Sequence, residues 1–128
     1  MCFGVLTSLQ LMVVDQLPVP NGGKPIQQLT DSYGDDAAIV AGMLHQMGQK
    51  TRLIASALGD DDLGRKVAAT VGRRGVPVDI RIDPTVTTVA ELSIADPSGA
   101  RTYFYQRTSE LLNTLNSADL SPLEQASY

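Results

Sequence analysis

Three short stretches of the chain carry side chains able to do chemistry. In the first, Gly34-Asp35-Asp36 sets two carboxylates beside a residue whose backbone can turn tightly. Carboxylates accept hydrogen bonds from hydroxyl groups and bind polyols, which makes this a candidate hydroxyl site. The same two aspartates would equally well cap the helix that starts there. In the second, Asp60-Asp61-Asp62 lies between Gly59 and the run Leu63-Gly64-Arg65-Lys66. Consecutive side chains at a helix start diverge, so the three do not make one cation site, and capping accounts for them. Nor is this a phosphate loop: no Lys-Ser or Lys-Thr ends the run, and its acidic middle would repel a triphosphate. In the third, alternation along a strand puts Arg101, Tyr103, Tyr105 and Arg107 on one face and Thr102, Phe104 and Gln106 on the other. His45 is the only histidine, so metal sites built on several histidines are excluded. It lies off the apolar face of its helix, which predicts a solvated surface residue.

These stretches need elements to position them. Ala37, Val40, Ala41, Leu44 and Met47 recur at three- and four-residue steps, predicting a helix capped by Asp35 or Asp36 and closed by Gly48. Thr51 to Leu58 reads as a buried strand. The aspartates at 60–62 then open a second helix, with Leu63, Val67, Ala68 and Val71 on its buried face and a stop at Gly75. Strand, helix and strand with short connections predict a parallel sheet with right-handed crossovers. Ahead of this unit, Cys2 to Leu6 reads as a central buried strand and Leu11 to Val14 as a second. Ile26 to Leu29 follows as a third, after a loop of Pro18, Pro20, Asn21, Gly22, Gly23 and Pro25 that is either a mobile pocket edge or a surface connection. Behind the unit, Val76 to Ile82 alternates as a half-exposed strand does. Thr85 to Ala95 and Arg101 to Arg107 flank the turn Asp96-Pro97-Ser98-Gly99, predicting a hairpin. Ser121-Pro122-Leu123-Glu124 is a capping box with proline at the first helical position.

The order and spacing of Gly34-Asp35-Asp36-Ala37-Ala38-Ile39-Val40-Ala41, Met47-Gly48, Leu58-Gly59-Asp60-Asp61-Asp62-Leu63-Gly64 and Gly75-Val76 resemble the N-terminal signature of the ribokinase-like (PfkB) carbohydrate kinases. Gly4-Val5-Leu6 and Val14-Asp15-Gln16-Leu17-Pro18 resemble their first strand and lid entry. The resemblance implies an α/β fold, a Rossmann-like parallel sheet with flanking helices plus a β lid, in which residues 1–128 form the N-terminal part of a ribokinase-like domain, incomplete at the C-terminus. The lid segments would be residues 11–30 and 86–107. Substrate contacts are implied at Gly34, Asp35, Asp36, Thr87, Tyr105 and Arg107, with a sugar or nucleoside as partner and a homodimer formed through the lid. The Gly-Ala-Gly-Asp catalytic motif, the ATP site and the acidic residues that organise Mg²⁺ would lie downstream of Tyr128. No catalytic, cofactor or metal residue is therefore expected within the chain, and phosphoryl transfer by it alone is not.

The pattern also departs from the family at the site itself. The second glycine of the family's Gly-Gly pair is Asp35, the asparagine that holds sugar hydroxyls is Ile39, and the aspartate after the first strand falls on Leu9. Weak sugar binding is expected in consequence, with Leu9→Asp and Ile39→Asn as the changes that would strengthen it. Two functions from different classes follow: the substrate-and-lid portion of an ATP-dependent sugar kinase, or a non-catalytic binding or dimerisation module on the same fold.

Composition bounds both. The chain has 128 residues and a net charge of −4, and an acidic surface argues against a nucleic-acid partner. One cysteine, Cys2, permits no internal disulfide and fits a reducing compartment. No apolar run approaches the roughly 20 residues of a membrane span, and Met1 to Val14 lacks the basic start and cleavage site of a signal peptide. A cytoplasmic protein is the expectation.

Overall fold

The computed structural model describes residues 1–106 and 109–126. In chain order the elements are β1 (Cys2–Gly4), β2 (Thr7–Val14), β3 (Ile26–Gly34), α1 (Asp36–Gln46), β4 (Leu53–Ala55), α2 (Asp62–Arg74), β5 (Ala90–Ala95), β6 (Arg101–Tyr105), α3 (Ser109–Asn116) and a 3₁₀ turn (Ser121–Gln125). They build an α/β structure with two sheets: β1 and β4 pair in parallel, and the other four strands lie in the order β3-β2-β5-β6. In that second sheet β2 runs antiparallel to β3 and parallel to β5, and β5 is antiparallel to β6.

The parallel ladder is shorter than the sequence suggests. β1 ends at Gly4 and has a single partner strand, β4, so Phe3 is 49% exposed and the strand is not central among the described residues. Residues 53–59 are all buried, as expected of Thr51 to Leu58, yet only Leu53–Ala55 is strand. Beyond Ala55 backbone bonds alternate with side-chain ones: the Ser56 N–H donates to the Gly4 carbonyl (3.1 Å) and the Leu58 N–H to that of Arg81 (2.9 Å), while the Leu6 N–H donates to Ser56 Oγ (3.0 Å) and the Ala57 N–H to Thr114 Oγ1 (2.9 Å). Val76 to Ile80 alternates in burial, but Ile82 is exposed, and the segment pairs with the neighbouring chain only at the isolated bridges Leu53–Val78 and Leu58–Ile82 and is not a strand.

The two helices differ in how legible they are. α2 forms as its sequence dictates: Asp61 caps it, Val67 and Val71 are buried, and Gly75 ends it with a left-handed φ of 66°. In α1 the buried face is Ala38, Ala41 and Gly42, whereas Val40 and Met47 are exposed. Small residues are what allow close approach here. A Cβ on Gly4 would lie 2.7 Å from that of Ala37, and the Tyr33 ring packs against Gly42. The helix therefore turns its small side to the core of Leu6, Tyr33, Leu53, Leu58, Val67 and Val71, and its bulkier side chains face outward. His45 consequently is half-buried rather than solvated, with its Nε2 beside Gly75.

The strands anticipated for the lid are longer than expected. β2 and β3 pair from Thr7–Gly34 to Val14–Ile26, so the Leu11 to Val14 and Ile26 to Leu29 segments are the outer ends of longer strands. The hairpin turn is as the sequence requires: Asp96 Oδ1 accepts from the Ser98 N–H (2.9 Å), and Gly99 takes φ 86°. The strand before it starts at Ala90, not near Thr85. The Ser121 capping box makes a 3₁₀ turn instead of an α-helix, with Leu120 at its N-cap and no side-chain cap; Asp119 accepts from the Ser121 N–H (2.9 Å) in the turn before it.

α3, in which Leu111 and Leu115 lie four residues apart, is held by two devices. Leu111 is buried against Val5 and Val89. Arg81 donates to the carbonyls of Ala55 (3.1 Å) and Thr114 (2.7 Å), joining the sheet to the helix. Among the described residues no helix is long and apolar enough to cross a membrane.

Candidate functional site

Alternation along the mixed sheet sets its two faces. Leu9 on β2 lies opposite Ser32 on β3 and Glu91 on β5, and Glu91 lies opposite Tyr105 on β6. Those side chains therefore share one face. The first turn of α1 comes up against that face, and between them is a cavity of about 400 Å³ lined by Leu9, Asp35, Asp36, Ile39, Glu91, Arg101, Tyr103, Phe104 and Tyr105. A second cavity of about 270 Å³ shares Leu9, Ile39, Arg101 and Tyr103 with it and extends along α1 to Gly42 and Met43. The opposite side of the sheet is tied to α2 by the ion pair of Lys66 and Asp31 (3.0 Å).

Gly34 is buried next to the first cavity. A Cβ there would lie 2.5 Å from Glu91 Oε2, 2.7 Å from Thr7 Oγ1 and 3.0 Å from the Leu9 Cβ, so only glycine leaves those groups where they are. Thr7 is fully buried, and its hydroxyl has no hydrogen-bond partner in the described structure. Asp35 is one of the two caps anticipated for α1. Its carboxylate accepts from the Asp36 N–H (2.8 Å) as the N-cap of α1, and its side chain also lines the cavity.

The acidic run of α2 is a structural clasp. Asp61 Oδ1 accepts from the Gly64 N–H (2.7 Å) and Oδ2 from the Thr88 N–H (2.8 Å), while Thr88 Oγ1 accepts from the Gly59 N–H (2.9 Å). This fixes the start of β5, two residues on, to the start of α2. Asp60 and Asp62 pair with Arg65 at 3.1 and 2.7 Å. Among the described residues no group of three metal-ligating side chains converges.

The anticipated site residues thus divide. Asp35, Asp36 and Tyr105 line the cavity and Gly34 adjoins it. Thr87 is exposed in the segment before β5 and is not in the cavity lining; its neighbour Thr88 is the buried, bonded threonine. Arg107 lies outside the described residues. Glu91 in the cavity lining and the unpartnered Thr7 beside Gly34 are not anticipated from the sequence, although an acid within the otherwise uncharged strand Ala90–Ala95 is a signal for the first.

No protein-family model and no curated protein matches the sequence. Solved structures match the fold. Ribokinase from Giardia lamblia superimposes with a TM-score of 0.70 at 19% identity, over 95% of this chain and 38% of that one. Phosphofructokinase-2 from Escherichia coli in complex with fructose-6-phosphate gives 0.69 at 15% identity, over 91% and 40%. The fold is ribokinase-like. A nucleoside kinase from Methanocaldococcus jannaschii shares it with a TM-score of 0.58 at 18% identity, over 82% of this chain and 35% of that one. The chain spans about two fifths or less of the length of these three proteins, so it presents only part of the ribokinase-like fold.

Within this fold the Asp35 backbone has φ 72° and ψ 154°, a conformation that glycine adopts readily and other residues rarely. The resemblance places a glycine at this position. Strain of this kind costs about 1–3 kcal/mol, whereas replacing an N-cap aspartate by glycine costs only a few tenths. Asp35→Gly is therefore expected to stabilise the chain by about 1 kcal/mol or more in urea denaturation. An unchanged or lower midpoint would show that the cap outweighs the strain.

Proposed function

We propose that this chain is the substrate-binding and lid portion of an ATP-dependent carbohydrate kinase of the ribokinase type, acting on a hydroxyl of a sugar or nucleoside. The observation that carries this is the cavity between the lid sheet and the first turn of α1, where carboxylates, tyrosines and Arg101 converge. Carboxylates hold hydroxyls by charge-assisted hydrogen bonds. Tyr103, Phe104 and Tyr105 offer apolar ring faces beside them, as a sugar's C–H surface requires.

ATP and Mg²⁺ do not fit the described residues. In the glycine-flanked stretch before α2 the amides a phosphate would need are already taken, the Gly64 N–H by Asp61 Oδ1 and the Gly59 N–H by Thr88 Oγ1. No step of phosphoryl transfer is therefore assigned to this chain, and the nucleotide, metal and catalytic base are expected from residues beyond it.

The alternative is a binding or dimerisation module. β6 has only β5 as a neighbour in its sheet and exposes three aromatic side chains, features that favour pairing with a second lid. One set of measurements tests both. The purified chain is expected to give no ATP turnover with D-ribose, D-fructose or adenosine, but saturable shifts of its Gly34 and Tyr105 amide signals on titration with at least one of them. Turnover would overturn the division of labour. Absence of binding, with a dimer in sedimentation, would favour the alternative.

A further inference from the structure

The structure places a carboxylate beside the site of a missing one. Where the family resemblance locates a hydroxyl-binding aspartate, this chain has Leu9, an apolar residue that cannot accept a hydrogen bond. Directly across the parallel pairing of β2 and β5, on the same face of the sheet, stands Glu91. Its side chain lines the same cavity as Leu9, Asp35 and Tyr105. Its Oε2 is turned toward Gly34, within 2.5 Å of the point a Cβ would occupy. Thr7 Oγ1 approaches that same point to 2.7 Å, so the two oxygens bracket one position above a residue with no side chain. Thr7 is 1% exposed and its hydroxyl has no partner within the described structure, an arrangement that costs free energy unless something fills it.

We propose that Glu91 is the specificity-determining carboxylate of this pocket, taking over from the neighbouring strand the role that Leu9 cannot perform, and that Glu91 and Thr7 together hold a pair of adjacent hydroxyls of the substrate. The inference rests on the proposed sugar or nucleoside site. A carboxylate can accept from both hydroxyls of a vicinal diol, and the Thr7 hydroxyl can donate to one of them or accept from it. Gly34 is required because any side chain would occupy the position where those hydroxyls sit. Moving the acid by one strand also shifts it sideways by the inter-strand spacing of about 4.8 Å. The pocket then selects for diol position rather than merely for the presence of hydroxyls.

The test is titration of the ¹⁵N-labelled chain with D-ribose, D-fructose and adenosine, followed by amide shifts. For the tightest of the three, Glu91→Gln is expected to weaken binding by about 10-fold to 100-fold, the usual effect of losing a hydrogen bond to a charged group, with an amide spectrum otherwise superimposable on the native one. Leu9→Asp in the native chain is expected to give no gain, because it sets two carboxylates opposite each other across the strands. In the Glu91→Gln background the same change is expected to recover part of the lost affinity and to alter the order of preference among the three ligands, because the acid then stands on β2 and not on β5. Native affinity in Glu91→Gln, or a gain from Leu9→Asp alone, would overturn the assignment of Glu91 and leave the proposed function standing. Failure of the native chain to bind any of the three would overturn the proposed function, and this inference with it.

Discussion

Asp61→Ala is expected to lower the stability of the chain by about 2–4 kcal/mol. Losing an N-cap aspartate costs about 1 kcal/mol. The same carboxylate also satisfies the amide of the buried Thr88, and an orphaned buried donor costs a further 1–3 kcal/mol or so. The clasp cannot easily relax around the loss. A Cβ on Gly59 would lie 2.6 Å from the Val86 carbonyl oxygen, so the backbones of the two segments are already in contact. Burial alone would raise the Asp61 pKa, but hydrogen bonds from the Thr88 and Gly64 amides and the Thr88 hydroxyl, with the charge of Arg65, outweigh it and hold the group below its ordinary value of 3.8. A depressed folded-state pKa contributes stability that is present above the unfolded value and lost as pH falls through the folded one. The difference between native chain and Asp61→Ala should therefore be largest near neutral pH and shrink below about pH 4. Asp83, Asp96 and Asp119, also lowered by hydrogen bonds in their own turns, remain in both proteins and cancel in the comparison. Urea denaturation at pH 7 and pH 3 checks this. A change under 0.5 kcal/mol at pH 7, or one independent of pH, would show that the clasp is not a principal fastening of β5 to α2.

What the sequence revealed, and what it hid, follows the range of the interactions involved. α2 was legible because Asp61, Val67, Val71 and Gly75 act within one helix, through capping and a 3.6-residue period. The hairpin was legible because Asp96 and Gly99 act within one turn. The buried face of α1 keeps Ala37 and Ala41 from the apolar period but not Val40 and Met47, because close packing of Gly4 on Ala37 and of Tyr33 on Gly42 selects it. That complementarity joins residues distant in the chain and leaves no periodic trace. The same reasoning separates Thr87 from Thr88: nothing local says which of two adjacent threonines answers an aspartate 27 positions away. Gly34, Asp35 and Asp36 stand out because a glycine and two acids before a helix form a local pattern. Glu91 does not, since its place in the cavity comes from the register of β5 against β2 and from Gly34 reaching the same spot through β3.

Register also separates two substitutions that the sequence treats alike. Ile39→Asn is expected to strengthen binding of the preferred sugar or nucleoside by about 5-fold to 10-fold, whereas Leu9→Asp should not. Ile39 is 41% exposed in the first turn of α1 and lines both cavities, so an amide there meets substrate without displacing core. One new hydrogen bond contributes about 1 kcal/mol net, and asparagine costs a few tenths of a kcal/mol in helix propensity near this end. Leu9 is only 8% exposed, between Ser32 and Glu91. An aspartate there would bury a charge beside another of the same sign, which lowers stability as well as opposing substrate. Calorimetric or amide-shift titration of the two single variants, together with their urea midpoints, distinguishes them. Equal gains at both positions would mean that the acid on β5 and the position on β2 do not compete for one hydroxyl. No gain at Ile39 would mean that the substrate lies along β6, with Tyr103 and Tyr105, and does not reach α1.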